Sequence, residues 1–187
     1  MTSAFRTNVT SQFAAFLVAA MFSGVATAFD GISFEYGQSD RHNEVDRYGA
    51  AVKLDMPWRL FDTGSIHLGT YLEAGVNYWD SENGVTGTDS LVDFHLTPVF
   101  RLAGNRETGI MPHFEFGLGV HGHTESEIED EDFDIPFAFG SHVGVGLRFG
   151  QRQQYELLYR YQHLSNAGLG DENPGINFHF MQVGYRF

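Results

Sequence analysis

The chain has 187 residues, enough for one domain, and no cysteine, which excludes a disulfide scaffold, a thiolate metal site and a cysteine nucleophile. Its 24 acidic side chains face only 11 Lys and Arg, a formal charge of −13, so the clustered cations that bind phosphate backbones are missing and no nucleic-acid partner is expected. An acidic surface would also repel anionic lipid headgroups unless divalent cations mediate.

The N-terminus has the form of an export signal. Arg6 is the only charged residue before Asp30, and the apolar run from Phe13 to Ala20 continues through Met21-Phe22 to the small residues Ala26-Thr27-Ala28. Cleavage after Ala28 is expected, which leaves 29–187 as a single domain.

Beyond residue 30 no segment is apolar enough to cross a membrane as a helix, and alternation takes over. Tyr48, Ala50, Val52 and Leu54 alternate with Arg47, Gly49, Ala51 and Lys53. Val92, Phe94, Leu96, Pro98 and Phe100 alternate with Asp93, His95 and Thr97. Phe114, Phe116, Leu118 and Val120 alternate with Glu115, Gly117 and Gly119, and Tyr155, Leu157, Tyr159 and Tyr161 with Glu156, Leu158, Arg160 and Gln162. A period of two with one greasy and one mostly polar face predicts strands, near 31–38, 45–56, 64–78, 91–102, 110–123, 136–149, 154–165 and 177–187.

Their connections alternate too. Those near 39–44, 79–90, 124–135 and 166–176 are polar and mostly long, whereas Ala103-Gly104-Asn105-Arg106 and Gly150-Gln151-Arg152-Gln153 are short turns. An even number of strands with long loops at one end and short turns at the other predicts an all-β fold, an eight-stranded antiparallel transmembrane barrel of the outer membrane. A strand of about 10 residues rising roughly 3.3 Å each covers the apolar band of about 25 Å even when tilted. Met181, Val183, Tyr185 and the terminal Phe187 continue the apolar face to the end. The rival architecture, a soluble eight-stranded barrel holding a ligand, would turn that face inward. The export signal, terminal Phe, aromatic abundance and loop asymmetry favour the membrane form.

The stretch Tyr161-Gln162-His163-Leu164-Ser165-Asn166-Ala167-Gly168-Leu169, followed by Asn173-Pro174-Gly175-Ile176-Asn177, carries the chemistry. Residues i and i+2 of a strand share a face, so His163 and Ser165 can meet as base and hydroxyl. If Tyr155 to Tyr161 face lipid, so do both of them, and Asn177 is in phase with the outward residues of the last strand. With both chain ends periplasmic, this places a site on the outer wall of the barrel at outer-leaflet depth. An ester in that leaflet would reach it laterally.

The segment resembles the lipid A deacylases of Gram-negative outer membranes, the PagL family, whose members carry His-x-Ser-Asn-Ala before a last strand ending in Phe. The match is close over 159–187 and architectural before that. The resemblance implies a serine esterase acting on lipid A of lipopolysaccharide, at the 3-O-linked acyl chain. His163 and Ser165 would be catalytic, and the Asn166 side chain and Gly168 N–H would meet the oxyanion, with no metal or organic cofactor required. Some family members carry Glu where this chain has Asn177. An Asn carbonyl can orient the ring but lacks the charge that stabilises imidazolium, which leaves Asp171 or Glu172 as alternative partners. Readings from other classes are a non-catalytic small barrel acting through its loops in adhesion or envelope integrity, and an acyltransferase.

Three further groups of residues lie outside this stretch. His121-x-His123 places two imidazoles on one face, but without a third ligand at a diagnostic spacing the pair is expected at the rim near the lipid interface. The acidic run 125–134 lacks the glycine and spacing of a calcium loop and is expected to be a solvated surface loop, or a collector of divalent cations that bridge lipopolysaccharide phosphates. Lys53, Glu73, Asp93, His95, Glu115, Glu156 and Arg160 are expected to pair inside the barrel.

Overall fold

A segment with one apolar and one polar face needs oil on one side and a polar filling on the other, and a closed sheet in a membrane supplies both. In the computed structural model, which describes residues 29–40, 45–81, 88–106, 108–129 and 131–187, the chain does this with eight of the ten strands it forms there. The ten are β1 (Gly31–Ser39), β2 (Val45–Asp62), β3 (Ile66–Ser81), β4 (Ser90–Gly104), β5 (Met111–His123), β6 (Glu127–Ile128), β7 (Glu131–Asp132), β8 (Phe137–Phe149), β9 (Tyr155–Ser165) and β10 (Ile176–Arg186). Eight close an antiparallel barrel in the order β1-β10-β9-β8-β5-β4-β3-β2, and β6 pairs with β7 as a small separate ladder. No helix among the described residues is long and apolar enough to cross a membrane. The expected export signal, 1–28, lies outside the described residues.

Parity holds around the wall. Tyr155, Leu157 and Tyr159 are exposed on β9 while Glu156, Leu158, Arg160 and Gln162 are buried, and Met181, Val183 and Tyr185 are exposed on β10 while Gln182 is buried. The interior is an ionic lattice. Arg160 reaches Glu73 at 2.5 Å and Glu115 at 2.7 Å, Arg101 reaches Glu115 at 2.7 Å and Glu156 at 2.9 Å, and Lys53 pairs with Glu156. Each of these three carboxylates, Glu73, Glu115 and Glu156, has a cation, as buried charges require.

Three expectations need correction. β2 does not stop at 56: it runs to Asp62 through register shifts between Met56 and Phe61, next to Pro57, which has no N–H to donate to the ladder. The acidic run is not simply solvated. It folds back as β6 and β7, and Ile128 and Phe133 are fully buried with Val45, Trp79, Leu91, Ala138, Leu164, Ile176, Phe178 and Phe180. The third concerns His121 and His123. Both are buried in the lumen, as the parity of β5 requires once Phe114 to Val120 face lipid.

The apolar cluster plugs the loop-rich end of the lumen and pins the wall from inside. Leu164 and Ile176 are register partners across β9 and β10, and both side chains are buried. Burial of each contributes about 1.5–3 kcal/mol. Residues 163, 165 and 177, on the opposite face of the same strand ends, are held by that anchorage.

Candidate active site

β9 ends at Ser165 and β10 starts at Ile176, so the loop 166–175 sits directly over the strand ends. His163 is exposed on the outer wall, Ser165 is half-buried beside it, and Leu164 between them points inward. His163 is the register partner of Asn177 on β10 and of Ser141 on β8. The Nδ1 of His163 lies 2.7 Å from Oδ1 of Asn177. An amide oxygen only accepts, so this contact places the ring proton on Nδ1 and the lone pair on Nε2. Among the described residues that place is taken by Asn177 and by neither Asp171 nor Glu172, which enter the loop's hydrogen bonds through their backbone, the Asp171 N–H donating to Asp134 and the Glu172 carbonyl accepting from Asn166.

No hydrogen bond joins Ser165 to His163 among the described residues. Catalytic hydrogen bonds without substrate are often long and tighten when the substrate binds. The ring is hemmed from the other side by Gly175, at φ 67°, where an added Cβ would lie 3.0 Å from Cε1 of His163. Glycine at this position serves two needs, a left-handed backbone and room for the imidazole.

Asn166 and Gly168 do come together, but with each other. The Asn166 side chain is fully buried; its Nδ2 donates to the carbonyls of Phe133 at 2.7 Å and Glu172 at 2.6 Å, and its Oδ1 accepts from Gly168 N–H at 2.8 Å. The backbone N–H of Asn166 donates to Oδ1 of Asn173 at 2.9 Å. Asn166 is thus the hub of the loop and ties it to the plug through Phe133. The two donors expected to meet an oxyanion are already engaged. Ala167 at φ 56° and Gly168 at φ 77° give the turn two successive left-handed residues. For alanine that conformation costs roughly 1–2 kcal/mol and is sustained by the bonds around it.

Sequence reading missed Asp40, just past β1. Its N–H donates to the Asn177 carbonyl at 3.1 Å, and its carboxylate accepts from the Tyr161 hydroxyl at 3.1 Å and from Nδ2 of Asn177 at 3.4 Å. The signal available was topological: closing an even-stranded antiparallel barrel lays the first strand beside the last.

A second cluster lies in the lumen. Asp93, His95 and His121 bring ligand atoms within 4.8 Å of one another, and His123 Nε2 is 3.5 Å from Asp93. Such a set could hold a metal by donor type. Asp93 is committed within it, taking His121 Nδ1 at 2.9 Å on one oxygen and Asn77 Nδ2 at 2.8 Å on the other, while the ring nitrogens of the buried His123 make no hydrogen bond. We read it as part of the polar filling.

A family model described as lipid A 3-O-deacylase (PagL) matches residues 46–186. The chain is 30% identical over 145 residues to the lipid A deacylase PagL of Pseudomonas aeruginosa, covering 78% of this chain and 79% of that protein. It is 27% identical over 160 residues to the lipid A deacylase PagL of Bordetella bronchiseptica, covering 84% and 83%. The crystal structure of the outer membrane enzyme PagL superposes with a TM-score of 0.74 at 25% identity, over 84% of this chain and 99% of that one.

Proposed function

The chain belongs to the lipid A 3-O-deacylase (PagL) family and is an outer-membrane β-barrel, and on that premise we propose that it hydrolyses the 3-O-linked acyl ester of lipid A with Ser165 as nucleophile and His163 as base. Residues 1–28 direct its export and are removed.

The observation that carries this reading is the His163–Asn177 contact on the outer wall, at the loop-rich end of β9 and two residues from Ser165. With both chain ends periplasmic, that end is extracellular, and the ester of a lipid in the outer leaflet approaches it from the side. Ser165 Oγ attacks the ester carbonyl while Nε2 of His163 takes its proton. The tetrahedral intermediate collapses, the sugar hydroxyl leaves with the proton from Nε2, and the acyl chain stays on Ser165. Water, deprotonated by the same nitrogen, releases the fatty acid and restores the serine. General-base assistance of this kind is worth roughly 10²–10⁴ in rate.

The oxyanion is met from the turn after Ser165. Gly168 N–H shifts from Asn166 Oδ1 to the developing charge, and Asn166 keeps the loop in register while that happens. No metal or organic cofactor enters the scheme.

The test uses the protein in detergent micelles with purified lipopolysaccharide. Release of 3-hydroxy fatty acid by the wild type, together with labelling of Ser165 by a fluorophosphonate, supports the proposal. Turnover without any serine adduct would overturn the nucleophile assignment.

A further inference from the structure

We infer that Asp40 is a positioning residue for His163, acting through the side chain of Asn177. The inference rests on the reading of His163 as the base.

The geometry is a chain of three groups. Asp40 is fixed by its own N–H to the Asn177 carbonyl at 3.1 Å and by the Tyr161 hydroxyl at 3.1 Å. Its other carboxylate oxygen lies 3.4 Å from Nδ2 of Asn177, whose Oδ1 lies 2.7 Å from His163 Nδ1. The two ends of an Asn amide have nearly the same shape, so shape does not decide which one faces the imidazole. A carboxylate decides it, because it only accepts and draws the NH2 end to itself. The carbonyl is left for His163, which must then carry its proton on Nδ1 and keep Nε2 free for Ser165. With the amide reversed, Nδ2 would donate to Nδ1, and Nε2 would hold the proton and be useless as a base.

Asp40 also supplies charge at one remove. Asn177 alone offers imidazolium a neutral partner, whereas Asn177 backed by a carboxylate offers a polarised one. The other groups around His163 are Tyr161 and Ser165 on β9, Ser141 on β8, His179 on β10 and Gly175 in the loop. Asp40 is the carboxylate joined to the imidazole through Asn177 among the described residues.

The experiment compares full-length wild type, Asp40→Ala, Asp40→Asn, Asn177→Glu, the pair Asn177→Glu with Asp40→Asn, and Ser165→Ala. Each is checked as a heat-modifiable barrel and assayed for fatty-acid release from lipopolysaccharide across pH. Asp40→Ala is expected to lower kcat about tenfold with KM unchanged, the effect of losing one charge-assisted contact. The acid limb of the kcat profile should move to lower pH, because an imidazolium that has lost a nearby negative charge gives up its proton more readily. With Asn177→Glu the ring has a carboxylate of its own, so adding Asp40→Asn should cost nothing further. Wild-type kcat and an unmoved acid limb in Asp40→Ala and Asp40→Asn, with Ser165→Ala inactive, would overturn the role of Asp40 alone. An equal loss from Asp40→Asn with or without Asn177→Glu would do the same. Full activity in Ser165→Ala would overturn this role and the catalytic reading together.

Discussion

His163 and Asn177 face each other across β9 and β10, with Nδ1 2.7 Å from Oδ1, and Leu164 and Ile176 beneath them are sealed into the plug. The orienting contact therefore does not depend on a mobile loop. Asn177→Leu, close in shape but unable to accept, should lower kcat by about 10- to 100-fold, the cost of one hydrogen bond to a ring that becomes charged, roughly 1.5–3 kcal/mol. Steady-state release of fatty acid, with the barrel checked by heat modifiability, measures it.

Gly175 leaves the imidazole its room. An alanine there would press on His163 Cε1 and hold a left-handed backbone, together costing roughly 1–3 kcal/mol. Gly175→Ala should reduce activity at least tenfold while the protein still assembles. Rates and assembly measured on the same membranes separate the two effects.

Asn166 commits both amide hydrogens and its side-chain oxygen to the loop and to Phe133. Asn166→Asp keeps the acceptor for Gly168 but sets a carboxylate against two carbonyls, so it should disturb the loop more than Asn166→Ala. Limited proteolysis should cut within 166–175 in both variants, faster in Asn166→Asp, and activity should fall in the same order.

Arg160 sits between Glu73 and Glu115 in the lumen. Arg160→Met would leave Glu115 to Arg101 alone and Glu73 to Lys53 at 3.9 Å, and cost about 3–5 kcal/mol, whereas adding Glu73→Gln and Glu115→Gln should recover much of it. The temperature of barrel unfolding in detergent is the readout. Fatty-acid release below that temperature should be little changed, since Arg160 lies on the face of β9 opposite His163.

The wall, and the outward face that His163, Ser165 and Asn177 share, were largely legible because both follow from a period of two. Parity, once the export signal, terminal Phe, aromatic abundance and loop asymmetry say which face meets lipid, puts His163, Ser165 and Asn177 outside and Glu115, Glu156 and Arg160 inside, and most strand ends fall within a few residues, although β2 runs on to Asp62. The same parity held the answer for His121 and His123, in phase with Glu115, but the pair read as a rim feature because no partner was near in sequence. What stayed hidden needed non-local packing. Ile128 and Phe133 are two apolar residues in an acidic run, and their burial is decided by Trp79, Leu91 and Phe178 on other strands. Asp40 meets Asn177 only through closure of β1 onto β10. That Asn166 serves the loop first is a matter of side-chain direction, which spacing does not encode.

The central claim is that this barrel deacylates lipid A through Ser165 and His163. Mass spectrometry of lipid A from Gram-negative cells expressing wild type, Ser165→Ala or His163→Ala, each confirmed as a heat-modifiable outer-membrane protein, tests it most directly. The account predicts loss of one 3-O-linked hydroxyacyl chain with the wild type and unaltered lipid A with both variants. Unaltered lipid A in all three, or the same loss in all three, would contradict it.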